Sequence, residues 1–230
     1  MNKKIIKITV AMFSAIALLF LGSSCSKTNN RGSSPPSPSS TNTNFTSIDV
    51  HGSGTVLLVP DTINKVDSIS NANVIYHSNG QLAITGSGFT KVSVKDISAL
   101  TVTGSVTVFS NDSLNLTQLL LTSHGSSLLG LKLKVQNSIT LTVTGSSDVY
   151  NLTGKCPKIY ADVNGSPQIN AYNFITADGS VTMNGSGVCQ IYCSNSLAAN
   201  IDGSTILYYK GHPAVVNPVV IKGTAQLIPQ

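Results

Sequence analysis

Two aspartates of this sequence could form a catalytic carboxylate pair. All nine acidic residues are aspartates, and enzymes that cleave polysaccharides use two carboxyl groups placed on one outer face. Asp162 and Asp202 are predicted to point outward near the same corner of the fold, two structural repeats and about 10 Å apart. That separation is compatible with an inverting glycosidase. A polysaccharide lyase or hydrolase is therefore the alternative function that the sequence leaves open.

The serines, glycines and histidines match no motif for catalysis or cofactor binding. The sequence has no G-x-S-x-G element and no complete phosphate loop, and its GSG tripeptides lack the third glycine of a dinucleotide fingerprint. The histidines are scattered along the chain, which does not favour a metal site; they are His51, His77, His124 and His212. We expect no catalytic residue, no cofactor, no metal site and no enzymatic activity.

Three cysteines lie in the body of the chain. Cys189 and Cys193 are separated by four positions in a strand pattern, which holds them about 13 Å apart unless the chain bends there. Cys156 and Cys193 occupy similar phases of the repeat but lie two repeats apart. We expect no stable disulfide between them, although an exported location would permit one. Cys189 is predicted to be a small buried hydrophobic residue.

The elements that position all these residues follow a repeat of about twenty residues. The repeat is marked by seven glycines, at spacings of 21, 20, 20, 20, 18 and 20 residues: Gly104, Gly125, Gly145, Gly165, Gly185, Gly203 and Gly223. Apolar residues recur two and four positions before the glycine and four positions after it, with Ser123 as the exception, and mostly polar residues lie between them. This alternation predicts half-buried strands on both sides of each glycine.

The repeat predicts an all-β protein, a right-handed parallel β-helix (β-solenoid) with about 20 residues per coil. A single repeat cannot bury its apolar side, whereas stacked repeats enclose a continuous core. The glycine-serine step is predicted to be a corner that uses positive φ at glycine. It is thus an architectural feature and not a catalytic one.

The N-terminal residues predict export and lipid anchoring. Residues 1–25 have a lysine-rich start, a short apolar run and small residues before Cys25, and they resemble a lipoprotein signal peptide in which Cys25 is acylated. The alternative is ordinary cleavage that discards Cys25 or leaves it free. Residues 26–44 form a Ser/Pro/Asn tether that is too polar to fold. Residues 45–230 are predicted to form one β-helix domain.

The charge balance does not favour nucleic acids as partners. Without the three lysines of the leader, 11 basic residues face 9 aspartates, so the mature chain carries about +2. Nucleic-acid binding needs lysine and arginine clustered on one face. The only arginine, Arg31, lies in the tether.

The serial glycine steps resemble the putative auto-transporter adhesin head GIN domain, a family common among lipoproteins of Bacteroidetes. The segments that match its "GS" steps are TGSVTV, TGSSDV, NGSPQI, NGSGVC and DGSTIL, and the family's Tyr-x-Gly-x-Pro element is matched by Tyr209, Gly211 and Pro213. FTSIDVHGSGTVLLV and NGQLAITGSG look like its opening strands. The resemblance implies a β-helix-like fold and no established enzyme activity, catalytic residue or cofactor.

These observations together predict a non-enzymatic, lipid-anchored protein of the bacterial cell envelope. Its membrane contact would be the palmitoylated N-terminus at Cys25, at the outer membrane. Its ligand would be a glycan or a protein of the envelope or matrix, bound by the flat polar sheets of the β-helix. The sequence leaves open which ligand is bound, which side of the outer membrane is exposed, and the oligomeric state.

Overall fold

The computed structural model describes residues 44–230. Strands make up 76% of these residues and none of them is helical. The strands of the first half are β1 (Ser47–Gly52), β2 (Thr55–Pro60), β3 (Lys65–Tyr76), β4 (Gln81–Val94), β5 (Ala99–Gly104), β6 (Thr107–Ser110), β7 (Leu114–Leu116) and β8 (Leu119–Gly125). Those of the second half are β9 (Leu128–Val135), β10 (Ser138–Gly145), β11 (Asp148–Gly165), β12 (Gln168–Gly185), β13 (Val188–Gly203), β14 (Ile206–Lys210), β15 (Val215–Ile221) and β16 (Gln226–Pro229).

The predicted signal peptide (1–25), nearly all of the tether (26–44) and Cys25 lie outside the described residues. Within residues 44–230, no helix has the length and apolarity needed to cross a membrane.

The strands form a parallel solenoid of about seven turns with about 20 residues per coil, as the glycine spacing predicted. The register is offset by one repeat at each step, so Val143 pairs with Val163, Val163 with Met183, and Met183 with Ile201. Because the sequence repeats at the same interval as the coil, equivalent side chains stack directly on one another.

Each coil has three straight segments, and the segments of successive coils form three faces. In one coil the first face is residues 158–165, which run into the corner glycine, and the second face is residues 168–171, which follow it. The third face is residues 173–176, which lead to the next coil. A short corner separates the third face from the next first face.

The inward side chains form the columns that the sequence predicted. The columns two and four positions before the glycine are buried from Val102 and Leu100 through to Ile201 and Ala199. In the last coil the same two positions, Ile221 and Val219, are 48% and 39% exposed, because no further coil covers them. The column of Ile201 also contains Ser123, which is fully buried and bonds to Ser127.

Each repeat glycine lies at a corner where it is fixed by two constraints. Gly145, Gly165 and Gly185 have φ of 94°, 109° and 117°, in the region that favours glycine, which confirms the predicted corner. A Cβ on any of them would also collide with the carbonyl oxygen of the glycine one coil earlier. That carbonyl oxygen accepts a hydrogen bond from the next corner: the N–H of Ser166 donates to the oxygen of Gly145 at 2.9 Å.

The opening strands depart from a simple stack in chain order. β1 lies between β4 and β5, so the coil that contains β4 is placed outside the first coil of the chain. β3 then pairs antiparallel with the outer edge of β4. An antiparallel strand thus covers one end of the parallel solenoid, and Lys65 on it forms ion pairs with Asp61 at 3.2 Å and Asp67 at 3.6 Å.

Candidate functional site

The most distinctive surface residue is Tyr150, which directly follows Val149 on the second face. Val149 pairs with Leu129, whereas Asn151 pairs with Gly130, so Tyr150 is the extra residue of a β-bulge. Bulges re-aim a side chain, and here the ring lies against Gly130, where any Cβ would collide with the ring and its hydroxyl. Tyr150 is nevertheless 46% exposed. One part of the ring is therefore supported by backbone while the rest faces solvent.

Amide side chains continue from Tyr150 across the second face. Asn170 pairs with Gln190, and Gln190 pairs with Tyr208, so the three lie in one outward row on successive strands. Gln168 lies two positions before Asn170, and its N–H donates to a carboxylate oxygen of Asp148 at 2.8 Å. A shallow groove of about 230 Å³ runs along this row. Its lining residues are Asp148, Val149, Tyr150, Gln168, Ile169, Asn170, Val188 and Gln190.

Tyr172 and Lys210 lie beside the row and contact each other. Lys210 Nζ is 4.1 Å from the ring centroid of Tyr172, a cation–π contact. Burial raises the pKa of the Tyr172 hydroxyl, with further contributions from Tyr208 and Cys189. The hydroxyl is therefore a neutral hydrogen-bonding group at physiological pH.

The chemistry of this surface, the tyrosine-amide face (Tyr150, Gln168, Asn170, Gln190 and Tyr208), suits a ligand with apolar patches and many hydroxyl groups. Tyrosine has an apolar ring and a polar hydroxyl, and each amide supplies both donors and acceptors. Sugars combine C–H faces with ring hydroxyls, so they match both kinds of group. The groove is open and shallow, as expected for a chain-like ligand rather than an enclosed small molecule.

The aspartates proposed as a catalytic pair do not come together. Both lie on the first face, but Asp162 pairs through Thr182 with Asn200, and Asp202 lies two residues beyond Asn200. The two Cα atoms are therefore about 12 Å apart rather than about 10 Å, because the offset along the strand adds to the two coils between them. Each carboxylate is bonded within its own strand: Asp162 accepts from Asn164 at 2.8 Å, and Asp202 accepts from the N–H of Gly203 at 2.6 Å.

The cysteines of the described region are buried free thiols. Cys156 pairs with Thr176 and Thr176 with Cys193, so the two cysteines are two coils apart, as predicted. A spacing of about 10 Å exceeds the Cα separation that a disulfide can bridge. Cys189 lies in the core, as predicted, and burial raises its pKa to about 12. These thiols contribute packing rather than reactivity.

His51 Nε2 contacts a carboxylate oxygen of Asp49 at 2.8 Å on the first face. In residues 44–230, no three histidine, cysteine or acidic side chains are grouped closely enough to hold a metal ion.

Sequence reasoning did not single out the tyrosine-amide face. Tyr150, Asn170, Gln190 and Tyr208 all stand five positions after a corner glycine, an outward phase that the same alignment displays. The bulge at Tyr150 and the support from Gly130 cannot be read from that alignment, because they depend on contacts between two coils.

Solved structures with this fold come from Bacteroides and Parabacteroides. A putative adhesin from Bacteroides fragilis superposes with a TM-score of 0.72 at 15% identity, covering 81% of this chain and 93% of that chain. A putative adhesin from Parabacteroides distasonis gives 0.59 at 17% identity, covering 80% and 93%. A second protein of that organism, described as a putative lipid binding protein, gives 0.58 at 15% identity, covering 82% and 93%. At these identities the likeness shows the fold.

No curated protein matches the chain. Residues 44–213 match the family described as "Putative auto-transporter adhesin, head GIN domain". This range includes the repeat glycines from Gly104 to Gly203 and the tyrosine-amide face. The resemblance seen in the glycine-serine steps is thereby confirmed, and the protein belongs to the family of auto-transporter adhesin head GIN domains.

Proposed function

We propose that this protein is a non-enzymatic, lipid-anchored protein of the cell envelope that binds a glycan through the tyrosine-amide face. The observation that carries the proposal is the exposed ring of Tyr150, which is supported by Gly130 and followed by a row of amides. An aromatic ring that packs on backbone loses little further freedom on binding, so it offers a low-cost stacking surface. Membership of an adhesin family supports a binding role at the cell surface.

The glycan proposal is tested by screening the purified protein on a glycan array and measuring the affinity of the best ligand. We expect Tyr150→Ala to weaken binding about three- to tenfold, as loss of an aromatic contact worth about 0.5–1.5 kcal/mol would do. Gln190→Ala alone should also weaken ligand binding.

The matched control is Tyr160→Ala on the first face, since Tyr160 and Tyr150 are both 46% exposed. Tyr160→Ala should keep full affinity. Equal losses for the two tyrosine variants, or retained binding in Tyr150→Ala, would contradict the assignment to this face.

The alternative function, a polysaccharide lyase or hydrolase, is tested by an activity assay. Incubation with acidic and neutral polysaccharides should release no new reducing or unsaturated ends. Turnover by the wild type that disappears in Asp162→Ala and Asp202→Ala would establish the enzyme and end the non-enzymatic proposal.

The proposed anchor is the acylated Cys25 at the outer membrane, followed by the tether of residues 26–44. Metabolic labelling with a palmitate analogue should mark the wild type and leave Cys25→Ser unlabelled. An unlabelled wild type found in the soluble periplasmic fraction would refute the lipid anchor while leaving the glycan proposal intact.

A further inference from the structure

A cluster of lysines on the third face is unrelated to the tyrosine-amide face. In β9 the buried residues Leu131, Leu133 and Val135 alternate with the exposed residues Lys132 and Lys134. On the next strand Lys155 is the register partner of Lys134 and is also exposed. Neighbouring strands are about 4.8 Å apart, and residues two apart on one strand are about 7 Å apart. The lysine patch (Lys132, Lys134 and Lys155) is therefore a compact triangle of three cations.

Among the described residues, no carboxylate oxygen lies within 4 Å of an ammonium group of the lysine patch. In the described part of the chain, every ion pair lies elsewhere and involves Asp49, Asp61 or Asp67. The register partners that flank the patch are neutral: Asn115 beside Lys134, Ile175 beside Lys155, and Thr153 beside Lys132.

The concentration of charge is local to this face. Residues 44–230 contain nine lysines and nine aspartates and are neutral overall. Three of those lysines nevertheless lie together on the third face, at Lys132, Lys134 and Lys155. Like charges placed directly opposite each other on neighbouring strands destabilise a sheet. Lys134 and Lys155 are opposed in this way without an internal counter-ion.

A groove adjoins the patch and gives an anionic ligand a place to lie. It has a volume of about 460 Å³. Lys134 and Lys155 line it together with Gln136, Ser194 and the exposed Ile175. Hydroxyl and amide groups therefore stand beside the cations, next to an apolar floor.

We propose that the lysine patch is a binding site for an anionic polysaccharide, whose carboxylate or sulfate groups the three ammonium groups recognise. An exposed lysine gains little from a single ion pair in water, so a lone small anion would bind weakly here. A polymer with repeated charges contacts several lysines at once and releases several counter-ions, which makes binding strong and salt-dependent. This site goes beyond the glycan proposal because it lies on another face and uses charge.

The test uses the purified full chain in detergent solution with dextran sulfate, polygalacturonate and uncharged dextran. The wild type should bind at least one of the two polyanions, with affinity that falls as salt rises, and should not bind dextran through this site. The double variant Lys134→Gln/Lys155→Gln should bind the polyanion about tenfold more weakly, as expected for the loss of two exposed charge contacts. The matched control is Lys95→Gln/Lys222→Gln, which removes the same charge at other exposed positions and should keep wild-type affinity.

A second readout needs no ligand. Lys155→Gln removes the direct opposition of like charges, so it should raise the melting temperature at low salt but not at high salt. Equal loss of polyanion binding in the two double variants would overturn the proposal, as would salt-independent binding or no binding to either polyanion. Tyr150→Ala should keep polyanion affinity, so failure of the glycan proposal and failure of this one are separate results.

Discussion

At the corner glycines a single residue type is required by backbone conformation and by packing at once. Gly165 has φ of 109°, and any Cβ there would collide with the carbonyl oxygen of Gly145. Each serine that follows a corner glycine contributes its backbone N–H rather than a reacting side chain. For example, the N–H of Ser186, which follows Gly185, donates to the carbonyl oxygen of Gly165 at 2.8 Å. The repeated glycine-serine step therefore builds the corner, and no chemistry needs to be assigned to the serine.

Gly165→Val should destabilise the fold by about 3 kcal/mol or more, because strain at positive φ and overpacking against the neighbouring coil add. Ser166→Ala removes an exposed hydroxyl and should cost no more than about 0.5 kcal/mol. Chemical denaturation of the two variants measures both values. A Ser166→Ala protein that is stable but cannot bind would show that the serine is functional.

Gly165 and Tyr150 differ in how much of their role can be predicted from the sequence. Gly165 was predicted to be a corner because the repeat period alone identifies its role. Tyr150 was not identified, because its exposure and its support depend on a bulge against Gly130, twenty residues earlier. Local sequence contains no signal for such a contact between coils. The separation of Asp162 and Asp202 likewise required the register as well as the number of coils.

Among the elements, the β3–β4 hairpin has a structural role that the repeat does not predict. β3 pairs antiparallel with β4 and covers the first end of the solenoid. Its charged side chains form a small network, in which Lys65 contacts Asp61 and Asp67, and Lys91 contacts Asp67 at 3.4 Å. Charged residues on an edge strand also oppose pairing with other chains. The alternation pattern predicts that strands exist here, but it does not predict that β4 lies outside β1.

This network predicts an acid-sensitive end. The backbone N–H of Thr62, followed by Ser93 and Lys65, lowers the pKa of Asp61 from its usual 3.8 to about 2. A carboxyl whose pKa is lower in the folded state stabilises the fold above pH 3.8, and this contribution is lost as the pH falls towards 2. Thermal unfolding between pH 5 and 2 should therefore show a smaller decrease in melting temperature for Asp61→Ala than for the wild type. Parallel profiles for the two proteins would contradict the assignment.

Residues 44–230 form a stack with two different ends. The first end is covered by β3, whereas the last coil leaves the inward positions Val219 and Ile221 exposed. The period and class of the fold follow from the sequence, because every coil repeats the same inward columns. The structure of the two ends cannot be predicted from the sequence, because side chains at the same position of the repeat are buried inside the stack and exposed in its last coil.

Two residues of one column test this difference between the middle and the end. Ile201 is fully buried and Ile221 is 48% exposed, although both stand two positions before a corner glycine. Ile201→Asp should cost several kcal/mol, since it places an unpaired charge in the core. Ile221→Asp should cost about 0.5 kcal/mol or less. Equal losses in urea denaturation would mean that the last coil is covered in solution.

In the proposed function one outward face of the solenoid binds the ligand, while the inner columns and corners hold the fold. This division is tested by titrating the isotope-labelled protein with the best ligand from the glycan array and recording NMR spectra of the backbone amides. Shifts should be confined to the strands of the tyrosine-amide face, at residues 148–150, 168–170, 188–190 and 206–208. Shifts centred on Asp162 and Thr182 of the first face, with the tyrosine-amide face unchanged, would contradict it.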